Sequence, residues 1–323
     1  MTPELFRELV AEAALSPNVH NIQPTLWRLV DATTIAMLTH PERTLPWGDP
    51  SGRDVTTSLG AAFEGMVIAA SKHGIKLSRA ATETEAARLV VDGQCDPDPL
   101  AAVLTKRRTY RGRFDARRKD EAREKAQSLA SRADVRLITR GDDIAAIADQ
   151  ADTATMRFYR DRAYRQELTS WMRLTKLDPN YARDGLNARA MEMSAPLAIA
   201  AGMVMQYPTF GILDKLQLAA SLTAEAGVTK TASALVAFVQ DRDADPFQTG
   251  RDWHRLWLEM TALGLAASPL TILGDDEQAA TEMSQRLNLT PHQRVVTVLR
   301  AGMVDARKLP PPARLPLDEV ILA

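Results

Sequence analysis

Lys106-Arg107-Arg108-Thr109-Tyr110-Arg111-Gly112-Arg113-Phe114 packs five cations and one short hydroxyl into nine residues. The whole chain carries a net charge of only −1, so this concentration of positive charge stands out. Arginine offers a planar fork of donors matched to phosphate oxygens, and threonine adds a short hydroxyl donor. Arg107, Thr109 and Arg111 are spaced by two, so an extended segment points them to one face. A phosphate-bearing ligand fits that pattern, and so does a solvated basic loop. The rest of the chain decides between them.

The 323 residues, 45% hydrophobic and 25% charged, have the composition of an ordinary globular protein. The length suits two domains, or one fold with two halves. The near-zero net charge gives no reason to expect nucleic acid or an acidic membrane as partner. Cys95 is the single cysteine, which excludes an internal disulfide and a cysteine-based metal site and suits a reducing compartment. The N-terminus opens an amphipathic pattern and not a basic, then apolar, signal sequence. The longest apolar run, Ala195 to Met205, is too short to span a bilayer. A cytoplasmic protein is expected.

Thr2 and Pro3 form a helix start, and Leu5, Phe6, Leu9, Val10 and Ala13 recur at helical spacing. Ser16 to Pro24 is a polar, amide-rich loop. Trp27–Val30 and Thr34–Leu38 are predicted as paired strands about Asp31-Ala32-Thr33. Ser51 with Asp54 three residues on has the form of a capping box for a long helix from Val55 to Ala70. After the basic stretch, strands are expected at 135–138, 233–239, 268–273 and 294–299. Helices are expected at 119–132, 142–158, 164–177, 252–266 and 275–287. The region 191–222 is apolar and rich in Met and Ala, broken at Pro208-Thr209-Phe210-Gly211. Pro310-Pro311-Pro312 begins an extended tail.

No glycine-rich nucleotide cradle and no Gly-x-Ser-x-Gly elbow is present. The five histidines (20, 40, 73, 254 and 292) show no metal-ligand spacing, so no metal site is expected. His254, on a helix with Trp253 and Trp257, reads as a packed surface histidine. His20, in the amide-rich loop, is the better functional candidate.

Taken together, four segments resemble the nitroreductase family of flavin enzymes. Ser16–Pro24 followed by Trp27 resembles its S-P-S-x-x-N-x-Q-P-W loop. Arg107-Arg108-Thr109-Tyr110-Arg111 resembles its R-x-S-x-R phosphate motif. Gly250–Ala266 with Ser268-Pro269-Leu270 resembles its helix and following strand, and Pro310–Val320 resembles its terminal basic, proline-rich signature. The loop precedes the phosphate motif here, the reverse of the ordinary order. That order resembles the mycobacterial Acg branch, in which one chain carries two related halves and folds like a nitroreductase dimer.

The resemblance implies an α+β fold, a central antiparallel-rich sheet flanked by helices, with halves at 1–100 and 101–323. It implies one FMN site between the halves, with no second chain needed, and places a lid over it at 191–222. Arg107, Arg108 and Thr109 match phosphate and ribityl contacts, and Arg314 matches a second phosphate cation. Arg111 matches a cation near flavin N1 and O2. Pro17, Asn18, Val19, Asn21 and Gln23 match the loop reaching from the other half. Leu270, Thr271 and Ile272 match the strand end whose backbone N–H faces flavin N5. Thr25 and Leu26 intervene before Trp27, Thr109 replaces the usual Ser, and Asn18 replaces a small hydroxyl residue. Trp171, Met172, Met191, Met193, Met203 and Met205 are expected to be core or lid packing. The implied activity is hydride transfer from NADH or NADPH through FMN to a small acceptor such as a nitroaromatic or quinone. The alternative is a flavin-sequestering protein whose closed lid allows no turnover.

Overall fold

The computed structural model describes residues 1–323. Helix α1 (Pro3–Ala13) starts on Thr2, whose hydroxyl accepts from the Leu5 N–H at 3.3 Å. Pro3 sits where no N–H is needed. Strands β1 (Thr25–Asp31) and β2 (Thr34–Thr39) pair antiparallel about the expected turn. Strands β3 (Ile75–Ala80) and β4 (Ala87–Gln94) complete a four-stranded antiparallel sheet in the order β1-β2-β4-β3. The sequence pattern did not announce β3, because only Ile75 and Leu77 alternate against Lys76, Ser78 and Arg79.

Helix α2 (Arg53–Ser71) lies between this sheet and the second half and is buried along nearly its whole length. Its start differs from the expected capping box. Gly52 occupies the cap position at φ +69°, and that left-handed step brings Asp49 over the helix end. The Asp49 carboxylate, not Ser51, accepts the Val55 N–H at 2.8 Å.

The remaining chain forms α3 (Lys119–Gln127), β5 (Val135–Ile138), α4 (Gly141–Arg160) and α5 (Arg162–Ser170). A short parallel pair follows, β6 (Met172–Arg173) and β7 (Leu186–Asn187). The apolar region 191–222 becomes three helices, α6 (Ala195–Met205), α7 (Thr209–Lys215) and α8 (Ala219–Thr223). Then come α9 (Ala226–Thr229), β8 (Ala234–Asp241), α10 (Pro246–Ala262), β9 (Ala266–Leu270), α11 (Ile272–Asp275), α12 (Glu277–Arg286), β10 (Gln293–Gly302) and α13 (Leu317–Val320). Strands β5-β8-β10-β9 make a second four-stranded sheet, antiparallel throughout. Leu235 to Val239 are all buried, as a strand covered on both faces requires. The fold is α+β, with its antiparallel sheet divided into two. No single helix is long and apolar enough to cross a membrane.

The halves meet through α2 and α10. A Cβ on Gly60 would stand 1.9 Å from the Phe247 carbonyl oxygen, and one on Gly250 would stand 1.9 Å from that of Thr57. Only glycines allow this approach. Beside the crossing, the buried Glu64 carboxylate accepts from Arg251 at 2.7 Å and from Arg255 at 2.8 Å. His254 is wholly buried there, a correction to its expected surface position, and its Nδ1 lies 2.7 Å from the Ala61 carbonyl. The helical spacing did not reveal that α10 packs on α2 as well as on its own sheet.

The tail returns to the first half. Leu315 and Val320 join the core built by α1, α2 and the first sheet. Ile321 bridges to Trp27, and the Leu322 N–H donates to the Trp27 carbonyl at 2.7 Å.

Candidate ligand cavity

A cavity of about 330 Å³ is lined from both halves, within the range of small-ligand sites. The loop after α1 and the start of α2 form one side. The basic stretch, β9 and β10 form the other. The basic stretch lies along β9: Thr109 bridges to Ala267, and the Tyr110 N–H donates to the Ala267 carbonyl at 2.9 Å. This pairing brings Arg107, Arg108, Thr109 and Arg111 to the same wall as Leu270, Thr271 and Ile272. Tyr110 points the other way, into the core, edge-on to Phe114 at 5.7 Å. The two-residue alternation of the sequence therefore operates, although Arg108 also reaches the cavity.

One end of the cavity is cationic. Arg107 is only 4% exposed, and its guanidinium stacks 4.6 Å from the Trp257 ring. Its Nη2 donates to the Leu15 carbonyl at 2.8 Å, while Nε and Nη1 are buried with no partner. Burial and the charges of Arg314 and Arg108 weigh against its ionisation. Arg314 is pushed down to about 10 by burial and by Arg108, and remains cationic at neutral pH. Every hydrogen bond from Arg107, Arg108, Arg111 and Arg314 goes to a carbonyl or amide oxygen, never to a carboxylate. Buried donors without partners are costly, and an anion in the cavity would supply them. The residues present thus fit a phosphate-bearing group.

Arg314 has a second task. Its guanidinium donates to the carbonyls of Ala14 at 2.5 Å, Leu15 at 3.1 Å and Ser16 at 3.2 Å, all at the C-terminal end of α1. A cation suits that end of the helix.

The loop Ser16–Pro24 holds an unusual backbone. His20, Asn21 and Gln23 all have positive φ, at 44°, 56° and 53°. Such conformations persist where the surroundings over-determine them. The Asn18 side chain accepts from the Gln23 N–H at 2.9 Å, and the Val19 N–H donates to Ser58 Oγ at 3.1 Å. Asn21 donates to the carbonyls of Gly185 and Ala313 and accepts from Arg314 at 2.7 Å. Gln23 donates to the Arg183 carbonyl at 2.7 Å and accepts from the Leu315 N–H at 2.9 Å. Pro17, Asn18, Val19 and Asn21 line the cavity. Gln23 does not: it is buried behind the loop and ties the C-terminal tail to it. The expectation of a ligand contact there is corrected, because both ends of its amide are already taken.

His20 lines the cavity as well. Burial first, and then the charge of Arg111, depress its imidazole to about 4, so it is neutral at physiological pH. Its Nδ1 is shut off from solvent without a partner. Arg111 makes one long contact, from Nη1 to the Ala190 carbonyl at 3.4 Å.

The far wall is acidic. Asp54, from α2, and Asp275, from α11, both face the cavity, and Arg53 reaches Asp275 at 3.0 Å and Asp54 at 3.7 Å. Burial and repulsion among Asp49, Asp54 and Asp275 raise both carboxyls above their usual range. Phe158, Tyr159, Tyr164, Met172 and Met191 complete this side. Met172 and Met191 are thus cavity residues, a correction to their expected role as packing alone. Sequence periodicity hid Asp54 as a helix cap and Asp275 as a helix start, since a first-turn carboxylate has the same local signature in either role.

Two antiparallel sheets with their helices, and a cavity between them carrying arginines that no carboxylate neutralises, define an α+β ligand-binding protein. Its likeness among known proteins is to nitroreductases. Two proteins of Mycobacterium tuberculosis, from strains CDC 1551 / Oshkosh and ATCC 25618 / H37Rv, each bear the name "Putative NAD(P)H nitroreductase". Each is 28% identical over 333 aligned positions, covering 98% of this chain and 91% of its own length. Among solved structures, the FMN and NADPH-dependent nitroreductase NfnB of sphigopyxis sp. strain HMH is 18% identical, with a TM-score of 0.39 over 70% of this chain and 99% of its own. NfnB of Mycobacterium smegmatis, solved with NADPH, is 15% identical, with a TM-score of 0.38 over 68% of this chain and 96% of its own. No family model matches the chain.

Proposed function

We propose that this protein is an FMN-dependent oxidoreductase that takes hydride from NADH or NADPH and passes it to a small acceptor such as a nitroaromatic or quinone. The observation that carries the reading is Arg107, buried beside Arg108 and Arg314 with two guanidinium nitrogens unpartnered and no carboxylate bound to the group. That arrangement suits the FMN phosphate. Arg107, Arg108, Thr109 and Arg314 would hold the phosphate and ribityl end. Pro17, Asn18, Val19, Asn21, Arg111, Leu270, Thr271 and Ile272 would surround the ring. Bound FMN supplies the hydride chemistry, and the protein supplies orientation and charge. The names of the curated relatives agree with a nicotinamide donor.

The two halves divide at about residue 100, and each contributes one wall, so one chain is sufficient for one FMN. The segment 191–222 acts as a lid: Met191 faces the cavity from it, and Thr223 does so from just beyond its end. This roof favours a second reading, in which the protein sequesters FMN without turnover. Steady-state oxidation of NADH and NADPH, with FMN added and a quinone or nitroaromatic present, separates the two. Turnover is expected; tight FMN binding with no oxidation above the free-FMN background would replace catalysis with sequestration. Equal calorimetric affinities for FMN and riboflavin would overturn the phosphate assignment.

A further inference from the structure

The loop's amide side chains are spent on the protein itself. Asn18 braces Gln23, Asn21 ties together Gly185, Ala313 and Arg314, and Gln23 clamps Arg183 and Leu315. Three left-handed residues and this set of bonds hold His20 at the cavity wall, with Nδ1 buried and unbonded. A neutral imidazole always keeps one nitrogen as acceptor. The guanidinium of Arg111 lies near enough to depress the ring's basicity. A neighbouring cation favours the tautomer whose lone pair points towards it. The wall therefore offers a fixed charged donor, Arg111, next to a neutral acceptor, His20.

A donor beside an acceptor is complementary to a carbonyl beside an N–H, the edge of an imide. We infer that His20 is a specificity-determining residue, whose ring nitrogen accepts the N3–H of the flavin pyrimidine ring while Arg111 donates to the adjacent carbonyl. The assignment rests on the FMN reading and deepens it. It gives His20 a role that the loop's amides cannot fill, because their donors and acceptors are already occupied.

The test uses N3-methyl-FMN, which keeps the phosphate and the ring but lacks the donor. Affinities for FMN and N3-methyl-FMN are measured by flavin-fluorescence titration for the full-length wild type, His20→Leu and His20→Gln. Wild type is expected to prefer FMN by tenfold or more. His20→Leu, similar in bulk and without an acceptor, is expected to bind FMN about tenfold more weakly and to show less than a threefold preference. His20→Gln, whose amide oxygen can accept, is expected to recover part of the preference. A full preference retained in His20→Leu would show that the methyl group is rejected by shape alone, and would overturn the role of His20. A wild type indifferent to N3-methylation while still binding FMN would overturn it too. A wild type that binds neither flavin would remove the FMN reading itself, a separate outcome from the other two.

Discussion

At the residue scale, the cation cluster divides into members with different tasks. Arg107 has donors to spare, so Arg107→Ala should weaken FMN by about tenfold to a hundredfold, as loss of one charge-assisted hydrogen bond implies. It should leave riboflavin nearly unchanged, and calorimetry with both ligands checks this. Arg107→Lys should recover little, since the stack on Trp257 and the fork are both lost. Arg314 also binds three carbonyls at the end of α1, so Arg314→Ala should lower the melting temperature of the apoprotein as well as FMN affinity. Arg111, if it faces flavin N1 and O2, favours the reduced anion. Arg111→Ala should then lower the midpoint potential with FMN still bound, and Arg111→Lys should restore part of it. An unchanged potential in Arg111→Ala would move this residue away from the ring. The basic stretch was legible in the sequence because charge density and two-residue spacing are local properties. The idle donors of Arg107 and the isolation of His20 were not, since they depend on which carbonyls the rest of the chain brings near.

At the element scale, the α2–α10 crossing is the contact that sets the width of the cavity. Gly60 and Gly250 each face a carbonyl oxygen of the opposite helix, and a backbone atom cannot step aside as a side chain can. Gly60→Ala or Gly250→Ala should cost about 3 kcal/mol or more, at the upper end of overpacking penalties. Equilibrium denaturation of each variant gives the number, and a change below about 1 kcal/mol would show that the helices can move apart. Element existence was well read along much of the chain, with β5 at Val135–Ile138 matching its expected limits. Long apolar stripes and tight turns carry that information locally. The capping of α2 was misread because the competent carboxylate, Asp49, is delivered by a left-handed Gly52 and not by sequence spacing. Trp171 was expected inside a helix to Leu177, but α5 ends at Ser170 and the chain turns into β6.

At the scale of the whole molecule, two walls from two halves imply one site per chain, and a titration should saturate near one FMN. A value near two would refute the shared cavity. Acidity should act on stability from both directions. His20 and His254 are depressed to about 4 and about 3, chiefly by burial, so the unfolded chain takes their protons more readily. Their stabilising effect is complete above the ordinary histidine range and is lost as pH falls from about 6.5 through those values. Asp54 and Asp275 have the opposite sign. Their raised values make the folded state hold protons longer, so that stability declines as pH rises above the ordinary carboxylate range. Asp275→Asn should therefore raise the melting temperature at pH 8.5 more than at pH 5, and thermal melts at both values check it. Such long-range electrostatics were closed to sequence reading, as was the return of the tail. That return has a consequence for biosynthesis. Trp27 is buried early in the sequence, yet it receives its last partners from Ile321 and Leu322. A ribosome emitting this chain from its first residue releases the opening layer unfinished and holds it so until the final codons are read. Completion of the first half is thus a post-translational event, and shortening the gene before the codon for Pro310 should leave even the first hundred residues open to protease.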